Sequence, residues 1–385
     1  MSLVNSSVLH IVRNSVDHDS RVLKETGSLL NFFPELEVLI AGFHEPDSRL
    51  IEDIGGRKLK RFSLSSRILP KNIMWQLLKY IEWHCRVVSY YSNSNIEIIH
   101  CHDLIPLGIA VHLKLITGAR LIYDAHELET EANGLFGLRK AITRLAENFL
   151  VKYVDSIITV SPSIVAWYKR KFPHVPVTLV RNVPSRIGIS QGPNISLRES
   201  YSLKEDDLLF VYLGGICNGR GVDVILKAFA DASVRHHVLF IGSGPRLQEV
   251  MTASSLNSRI HYHKPVPPDA VISYINGADV GLCLIEDVCL SYRYCLPNKL
   301  FESLIAGLPV LGSNLPDQAK LVNKYKSGWL VKPDSNSVVN FLSQITSGDV
   351  AQMRAGLLER TSELSWENEQ QKLIDVYTNL LRGIS

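Results

Sequence analysis

Residues 294–314 read YCLPNKLFESLIAGLPVLGSN, and this stretch indicates how the second half of the chain is built. Pro297 suits the first turn of a helix, where its missing N–H leaves no hydrogen bond unmade. Gly307 followed by Pro309 ends the same helix. Because the apolar run Val280–Leu284 precedes it, the stretch predicts a strand-to-helix unit whose helix begins at the carboxyl edge of a sheet.

The start of this helix has the features of an anion-binding site. Backbone amides at a helix N-terminus attract negative charge, and Asn298 and Lys299 stand beside them. Glu302 lies one turn further along, where a carboxylate can accept two hydrogen bonds from a vicinal diol such as a ribose. Spacing alone also allows an ordinary helix with a surface glutamate.

Apolar runs of strand composition alternate with helical patterns such as Ser20–Leu30 and Ile73–Tyr91 along the whole chain. This alternation occurs in each half without a residue-level repeat. The predicted fold class is therefore α/β, with two Rossmann-like, doubly wound parallel-sheet domains. The predicted strands are Val8–Val12, Leu36–Ala41, Ile96–His100, Leu121–Tyr123, Ile157–Val160, Leu208–Leu213, His237–Ile241, Ile260–His263, Val280–Leu284 and Pro309–Leu311.

A linker separates the two halves. We place an N-terminal domain at 1–185, a C-terminal domain at 186–364, and a final amphipathic helix at 365–385 that packs back on the N-terminal domain. Because ligands bind at the carboxyl ends of parallel strands, two such domains predict an active-site cleft between them. The linker, within 181–203, has turn chemistry at Asn182, Pro184, Gly188, Gly192, Pro193 and Asn194.

Two glycine-rich loops follow neighbouring predicted strands of the second half. Residues 214–221 read GGICNGRG, in which glycines let the backbone approach a ligand and Arg220 can reach phosphate oxygens. Residues 242–245 read GSGP and fall at the same end of the sheet. Each loop alone is equally consistent with a flexible turn, and their convergence favours a ligand site.

Composition excludes several classes of protein. The chain has 385 residues, 46% of them apolar and 21% charged, so it is not disordered, and its net charge of +3 is too small for a nucleic-acid-coating protein. No run approaches the ~18 apolar residues of a membrane span, and Met1–Arg13 lacks signal-peptide features, so we expect a cytoplasmic protein. The six cysteines form no CxxC pair and are interpreted as reduced thiols.

Three patterns resemble metal-binding motifs, and we predict that none of them binds a metal ion. Cys283, Cys289 and Cys295 match no zinc spacing. The run Asp17-His18-Asp19 resembles a DxD motif but offers too few oxygen ligands for a hard cation. His100, His102 and Asp103 form an HxHD run, for which a strand-end histidine beside a helix N-cap aspartate is favoured over a hydrolase dyad or a metal site.

Recognisable motifs occur along nearly the whole chain. They are DHDSRVLKE at 17–25, IIHCHDLIPLGIA at 98–110, YDAHELE at 123–129, the strand and glycine loop at 208–221, FIGSGP at 240–245, INGADVGL at 275–282, PNKLFESLIAGLPVLGSNLPD at 297–317, SGWLVKPD at 327–334 and SWENEQQKLIDVYTNLL at 365–381. These motifs resemble the retaining glycosyltransferases of family 4, which have the GT-B fold, and the N-terminal ones resemble the members that build bacterial surface polysaccharides. The resemblance implies transfer of a sugar from a UDP- or GDP-type donor to an oligosaccharide or lipid-linked acceptor, without a metal or other cofactor.

The resemblance also implies a role for individual residues. Two positions depart from the family pattern: Tyr294 stands in place of the first acid of E-x7-E, and Gly215 in place of a diphosphate-binding arginine. The catalytic residues implied are Arg220, Lys299 and His126; the donor-binding residues are Gly214, Gly215, Gly242, Gly244, Tyr294, Asn298, Lys299 and Glu302; the acceptor-side residues are Asp19, Arg21, His102 and Asp103.

One segment is strongly basic. Residues 57–86 contain eight Lys or Arg and one acidic residue, Glu82, interleaved with apolar side chains such as Trp75 and Leu78. The pattern suits docking on an anionic membrane surface, and equally a core-facing helix with a solvated basic face.

Two rival functions stay open at this point. A nucleotide-sugar epimerase shares the fold and would carry extra carboxylates for proton transfer. A non-catalytic partner of another transferase would explain Tyr294 and Gly215.

Overall fold

The computed structural model describes residues 6–17, 19–46, 48–70, 72–187 and 197–383. Two compact units divide the chain: one comprises the chain up to Val180 with the chain from Glu369 onward, the other Arg181–Asn368. No described helix is both long and apolar enough to cross a bilayer. Several residues of the sequence predictions lie outside the described residues, namely His18, Lys71, Gly188, Gly192, Pro193 and Asn194.

The first unit is built on an eight-stranded sheet. Its strands are β1 (Ser7–Ile11), β2 (Glu37–Phe43), β3 (Ile51–Ile54), β4 (Arg57–Phe62), β5 (Ile96–His102), β6 (Arg120–Ala125), β7 (Ser156–Thr159) and β8 (Val177–Leu179), and its helices are α1 (Ser20–Phe32), α2 (Ile73–Tyr91), α3 (Leu107–Thr117), α4 (Gly137–Leu150) and α5 (Pro162–Lys171). The strand order is β3-β4-β2-β1-β5-β6-β7-β8. All neighbours pair in parallel except β3 and β4.

The second unit is built on a six-stranded, wholly parallel sheet in the order β11-β10-β9-β12-β13-β14. Its strands are β9 (Leu209–Leu213), β10 (His237–Ile241), β11 (Ile260–His263), β12 (Val280–Cys283), β13 (Val310–Ser313) and β14 (Gly328–Val331). Its helices are α6 (Leu197–Ser200), α7 (Val222–Ala230), α8 (Leu247–Leu256), α9 (Val271–Ile275), α10 (Leu290–Arg293), α11 (Asn298–Ile305), α12 (Pro316–Tyr325), α13 (Ser335–Leu342), α14 (Ser347–Arg354) and α15 (Leu357–Arg360).

The predicted class, two α/β domains on parallel sheets, is confirmed, and all ten predicted strands are present. Central strands are buried on both faces and therefore read as continuous apolar runs. The sequence prediction missed β3, β4, β8 and β14. These strands are short or, like β4 with its sequence RKLKRF, rich in charge, which conceals their strand character.

The last helix, α16 (Trp366–Arg382), contributes its chain from Glu369 onward to the first unit. Tyr377 on this helix is fully buried, and the Ser28 hydroxyl of α1 donates a hydrogen bond of 2.8 Å to Gln370. The polar side chain of Tyr377 consequently enters the interior of the first unit.

The basic segment at 57–86 is not one helix: it contains β4 and α2, and Arg61 of β4 points inward. Arg61 is fully buried, donates to the carbonyls of Ser15 and Arg49 at 2.7 Å each, and forms ion pairs with Asp17 and Glu52. The charge of this segment thus serves partly to hold the loops that follow β1 and precede β3.

We predict that Arg61→Met lowers the free energy of unfolding by roughly 3 kcal/mol, because it leaves two carboxylates and two carbonyls without their donor. Chemical denaturation measures the change. Lys58→Met is the matched control, since Lys58 is an exposed cation of the same strand, paired with the exposed Glu37. Equal, small effects of the two substitutions would contradict a structural role for Arg61.

Candidate active site

The glycine loops of the second unit meet at the carboxyl ends of β9 and β10. The Gly214 N–H donates to the Ile241 carbonyl at 2.9 Å, and the Ile216 N–H donates to the Ser243 carbonyl at 2.8 Å. A Cβ atom on Gly242 would lie 1.9 Å from the Gly214 oxygen, and this glycine has a φ of +155°. Glycine is therefore required where the two loops cross, which brings the predicted donor-binding glycines together.

Lys299 lies in the first turn of α11 with an exposed fraction of only 5%. Its ammonium has no hydrogen-bond partner among the described residues, and its Nζ lies 3.5 Å from the centroid of the Tyr212 ring. Burial lowers the pKa of Lys299 to about 8. A buried ammonium whose donors are unused is unfavourable by itself and is suited to receive an anion.

Arg220 is the second cation of this site. Its Nη1 lies 3.5 Å from the position that a Cβ on Gly215 would take, and its guanidinium is 5.9 Å from the ring centroid of Tyr292. The charge of Arg220 helps to lower the pKa of Lys299, so the two cations act on each other. Together the two cations create a positive potential at the carboxyl edge of the sheet, which the Glu302 carboxylate offsets in part.

Neighbouring thiols do not offset this charge. Burial raises the pKa values of Cys283 and Cys295 to about 12 each, so both thiols are neutral at pH 7. The electrostatics of the site are therefore those of Lys299 and Arg220, with the half-buried Glu302 one turn further along α11.

The N-terminus of α11 differs in detail from the prediction. The helix begins at Asn298, and Pro297 is its N-cap in extended conformation rather than a residue of the first turn. No side chain caps the helix, and Asn298 is exposed. Tyr294 is half-buried after the short helix α10, and its N–H donates to the Leu290 carbonyl at 3.2 Å.

Sequence reasoning missed three supporting residues of this site. Tyr212 places its ring against Lys299 and donates its hydroxyl proton to the Gly215 carbonyl at 2.7 Å. Tyr292 lies under Arg220, and Glu286 accepts the Gly221 N–H at 3.2 Å. The one signal in the sequence is the position of Tyr212 within a strand that leads directly into the glycine loop.

In the first unit, His126 lies between two carboxylates. Its Nε2 is 3.1 Å from Asp124 Oδ2, its Nδ1 is 3.5 Å from Asp103 Oδ2, and its backbone N–H donates to Asp103. Burial opposes a charge on the ring, but Asp103 and Asp124 prevail and raise the pKa of His126 to about 10. The ring is thus a cation at neutral pH and donates from both nitrogens.

A chain of hydrogen bonds runs inward from His126. His102 Nδ1 lies 3.2 Å from His126 Nε2, and His102 Nε2 lies 2.9 Å from His10 Nδ1. The Tyr377 hydroxyl is 3.3 Å from His10 Nε2 and 2.7 Å from His100 Nδ1. The four contacts fit one direction of hydrogen bonding in which each group donates to the next, from His126 to His100, with the His126 Nε2 proton shared between His102 and Asp124.

This assignment agrees with the charge states of the buried rings. Burial, together with neighbouring histidines, lowers the pKa of His100 to about 3 and that of His10 well below its usual value, so both are neutral. His100 Nε2 ends the chain 3.5 Å from Asp124 and 3.7 Å from Glu25. Burial raises the pKa of Glu25 to about 7.

The histidine cluster is poorly arranged for a metal ion, although His10, Glu25, His100 and His102 each place a ligand atom within 4.8 Å of the others. The rings of His100 and His102 are stacked 4.4 Å apart at 9°, so their in-plane lone pairs run parallel instead of converging on one point. Arg21 also occupies the neighbouring carboxylate, Asp124, with two hydrogen bonds of 2.8 Å.

Of the predicted acceptor-side residues, Arg21 and His102 are buried, with exposed fractions of 3% and 2%. Their assignment to the acceptor side stays a prediction; in this structure Arg21 holds Asp124, and His102 contacts His126. Asp19 is the N-cap of α1 and accepts the Val22 N–H at 3.1 Å. Its partner in the DxD-like run, Asp17, instead binds Arg61.

Asp103 does not occupy the helix N-cap position that the HxHD run predicted. The N-cap of α3 is Pro106, so Asp103 is not the helix cap that the HxHD run suggested. It has a left-handed φ of 69° and binds the backbone N–H of His126. Asp103 thus supports the loop after β6.

Both halves of the chain match known protein families. Residues 36–183 match the family model described as Glycosyltransferase Family 4, and residues 207–347 match the model described as Glycosyl transferases group 1. An uncharacterized glycosyltransferase of Methanocaldococcus jannaschii is 20% identical over 362 residues, which are 89% of each protein. Each half of the chain therefore carries a glycosyltransferase domain.

Solved structures share the fold across almost the whole chain. Sucrose-phosphate synthase of Thermosynechococcus elongatus has a TM-score of 0.79 at 16% identity, covering 98% of this chain and 100% of that chain. HepE of Anabaena, in complex with UDP-glucose, has a TM-score of 0.71 at 13% identity, covering 97% and 99%.

We predict that Lys299→Met raises the free energy of unfolding at pH 7 by about 1 kcal/mol, because it removes an unpaired buried charge and keeps the volume. The wild-type protein should also gain stability as the pH rises from about 8 toward the ordinary lysine range, since only the unfolded chain then still binds the proton. Denaturant titrations at several pH values measure both effects. A less stable variant with an unchanged pH profile would contradict the unpaired state of Lys299.

We predict that Tyr377→Phe lowers the free energy of unfolding by about 1–3 kcal/mol, because the lost hydroxyl leaves one ring donor and one ring acceptor unsatisfied in the interior. The matched control is Tyr90→Phe, at an exposed tyrosine of the same unit. Chemical denaturation with both variants checks the prediction. A neutral Tyr377→Phe would show that the hydroxyl does not connect His10 to His100.

Proposed function

We propose that this chain, which belongs to the glycosyltransferases of GT-B type, moves a hexosyl group from a UDP- or GDP-type nucleotide sugar to a glycan or lipid-linked glycan. The transfer retains the anomeric configuration and takes place without a metal, as the family resemblance implies. The acceptor belongs to bacterial surface polysaccharide synthesis, such as lipopolysaccharide or capsule. The observation that carries the proposal is the buried Lys299 ammonium, whose donors have no partner among the described residues.

The chemistry of the leaving group explains why unpaired cations matter. Breaking the bond from the anomeric carbon to its oxygen leaves negative charge on the departing diphosphate and an oxocarbenium-like sugar. Fixed cations aimed at that charge stabilise the transition state more than the ground state. In this proposal Lys299, Arg220 and the uncapped amides of α11 receive the diphosphate, which gives the Lys299 ammonium the partner it lacks.

The remaining donor contacts follow from the same geometry. Glu302 would accept hydrogen bonds from the ribose, with Tyr294 and Asn298 beside the sugar and phosphate. The glycine loops after β9 and β10 allow the ligand to approach the backbone closely. The UDP-glucose complex of HepE supports a UDP-type donor.

His126 would act beside the transferred sugar as a hydrogen-bond donor and not as a base. Both ring nitrogens carry protons at pH 7, because Asp103 and Asp124 hold the pKa of this ring at about 10. A fixed imidazolium can stabilise a developing negative charge without itself losing a proton. Arg21 and His102 would act by keeping Asp124 and His126 in place.

We place the protein in the cytoplasm, with contact to an anionic membrane through the segment 57–86. The buried Arg61 cannot contribute to that contact, and Arg57 donates to Thr26 and two carbonyls. The contact would therefore rest on the exposed apolar residues of α2, because Lys79 donates to the carbonyls of Leu69 and Pro70 and Arg86 is paired with Glu82.

Incubation with UDP-sugars separates the proposed transferase from its rivals. A transferase releases UDP when an acceptor is present, or slowly hydrolyses the UDP-sugar when it is not. An epimerase instead inverts one carbon of the sugar and yields a different UDP-sugar. A non-catalytic partner does neither. Chromatography of the products decides between the three.

We predict that Arg220→Ala lowers kcat roughly 10–100-fold with little change in acceptor KM, because the lost charge-assisted contact matters most when the diphosphate departs. Steady-state kinetics with a UDP-sugar measure kcat and the acceptor KM separately. Arg246→Ala is the matched control: this arginine follows the Gly242–Pro245 turn, but Asp223 and Glu249 already neutralise it. Equal losses in both variants, or an effect confined to acceptor KM, would remove Arg220 from the leaving-group site.

A further inference from the structure

Cys217 is a half-buried thiol in the glycine loop at 214–221 of the second unit. Its Sγ lies 3.7 Å from the Gly215 carbonyl oxygen, which also accepts the hydroxyl proton of Tyr212 at 2.7 Å. The position that a Cβ on Gly215 would take lies 3.8 Å from this Sγ and 3.5 Å from Arg220 Nη1. The thiol and the guanidinium therefore face the same small space beside the loop backbone.

Lys299 brings a second cation to this thiol. Its Nζ lies 3.5 Å from the centroid of the Tyr212 ring, and the hydroxyl of that ring shares the Gly215 carbonyl with Cys217. Burial lowers the pKa of Lys299, and the nearby Cys217 acts on it in the opposite direction. Because this ammonium is buried and has no hydrogen-bond partner in the part of the chain that the structure describes, it points to an anionic ligand independently of the thiol.

Most other thiols of the chain lack this combination of access and positive charge. The sulfur of Cys289 is occupied at the N-cap of α10, where it accepts the Tyr292 N–H at 3.4 Å. Three further cysteines are neutral at pH 7 and poorly reactive, because burial raises the pKa of each thiol above its ordinary range. These are Cys101, Cys283 and Cys295.

A thiol in the position of Cys217 can exchange with a small disulfide. Its thiolate attacks one sulfur of the disulfide, the S–S bond of the reagent breaks, and a new S–S bond forms on Cys217. The departing thiolate takes up the proton that the protein thiol has lost, so Cys217 is oxidised and half of the reagent is reduced. Cations at the site raise the local concentration of an anionic reagent. A disulfide that carries carboxylates, such as glutathione disulfide, therefore suits this site.

We infer that Cys217 is a modification site, at which an anionic small-molecule disulfide forms a mixed disulfide whose carboxylates pair with Arg220 and Lys299. The attached group then occupies the space in which the donor diphosphate is received, so modification and donor binding exclude each other. This inference rests on the proposed transferase function and adds a redox regulation of its donor site. A reducing thiol removes the group by the reverse exchange and reopens the site.

Incubation of the full chain with glutathione disulfide, followed by mass spectrometry of the intact protein and of its peptides, tests the inference. We expect one glutathionyl group on Cys217. Added salt should slow this reaction and should accelerate the reaction of the same thiol with the cationic disulfide cystamine, because salt screens the two cations. Saturating UDP should protect Cys217 from glutathione disulfide, since it occupies the same space.

Cys85 is the matched control within the same molecule, because it is an exposed thiol of α2 whose neighbour Arg86 is paired with Glu82. The rate with glutathione disulfide, divided by the rate with cystamine, should be at least about tenfold higher at Cys217 than at Cys85. Equal ratios at the two thiols, or modification of Cys289 in place of Cys217, would overturn the inference.

The effect on the donor site is measured by UDP calorimetry. Modification should weaken UDP binding at least about tenfold, and dithiothreitol should restore it. Cys217→Ser keeps a small hydrogen-bond donor in the loop, so this variant should bind UDP like the wild-type protein and should be insensitive to glutathione disulfide. Unchanged UDP affinity of the modified protein, or loss of affinity in the treated Cys217→Ser variant, would contradict the inference.

Failure of the inference and failure of the proposed function give different results. Absence of UDP binding and of UDP-sugar turnover in the reduced, unmodified protein would overturn the proposed function. A Cys217 thiol that glutathione disulfide leaves unmodified, in protein that turns over UDP-sugars, would overturn only this inference.

Discussion

Parallel pairing of β1, β5 and β6 forces polar side chains to lie side by side inside a sheet that is buried on both faces. His10 is opposite His100, and His102 is opposite Asp124. Because neighbouring strands lie about 4.8 Å apart, the rings stack instead of spreading out. Polar groups in that position need internal partners, which come from the helices on either side of the sheet: Arg21 from α1 and Tyr377 from α16. The position of His126 thus depends on helices far from it in sequence.

In the second unit, the buried ammonium of Lys299 is not part of an internal hydrogen-bond chain in the described part of the protein. Its strands end in glycine loops that pack against each other, and Lys299 stands beside them with a tyrosine ring as its neighbour and no hydrogen-bond acceptor among the described residues. A site of this kind is electrostatically incomplete until an anion binds. The first unit contains a chain of hydrogen bonds with a charged histidine, His126, at its outer end. The second unit contains a pair of cations, Lys299 and Arg220. The proposed reaction assigns the leaving group to the cations and the sugar or acceptor to the histidine.

Much of this could be predicted from the sequence, because central parallel strands are continuous apolar runs and glycine loops follow them directly. The strands from Val280 and from His237, the helix after Pro297, and the convergence of the loops at Gly214 and Gly242 all belong to local patterns. Roles that depend on distant partners could not be predicted. From the sequence, Arg21 is a cation in the first turn of a predicted helix until Asp124 is placed opposite it, and Tyr377 is an ordinary core residue until His10 and His100 flank it. The charge-rich β4 was missed because Arg57 and Arg61 find their partners across the fold.

The central claim is that the Lys299 ammonium lacks a partner until a diphosphate arrives. Nuclear magnetic resonance of lysine side chains, with Lys299→Met identifying its signal, measures the pKa of this group directly. The account predicts a pKa of about 8 in the free protein and a rise toward the ordinary lysine value when UDP binds, because the phosphate oxygens accept the ammonium protons. A pKa near the ordinary value in the free protein, or one that UDP does not change, would contradict the account.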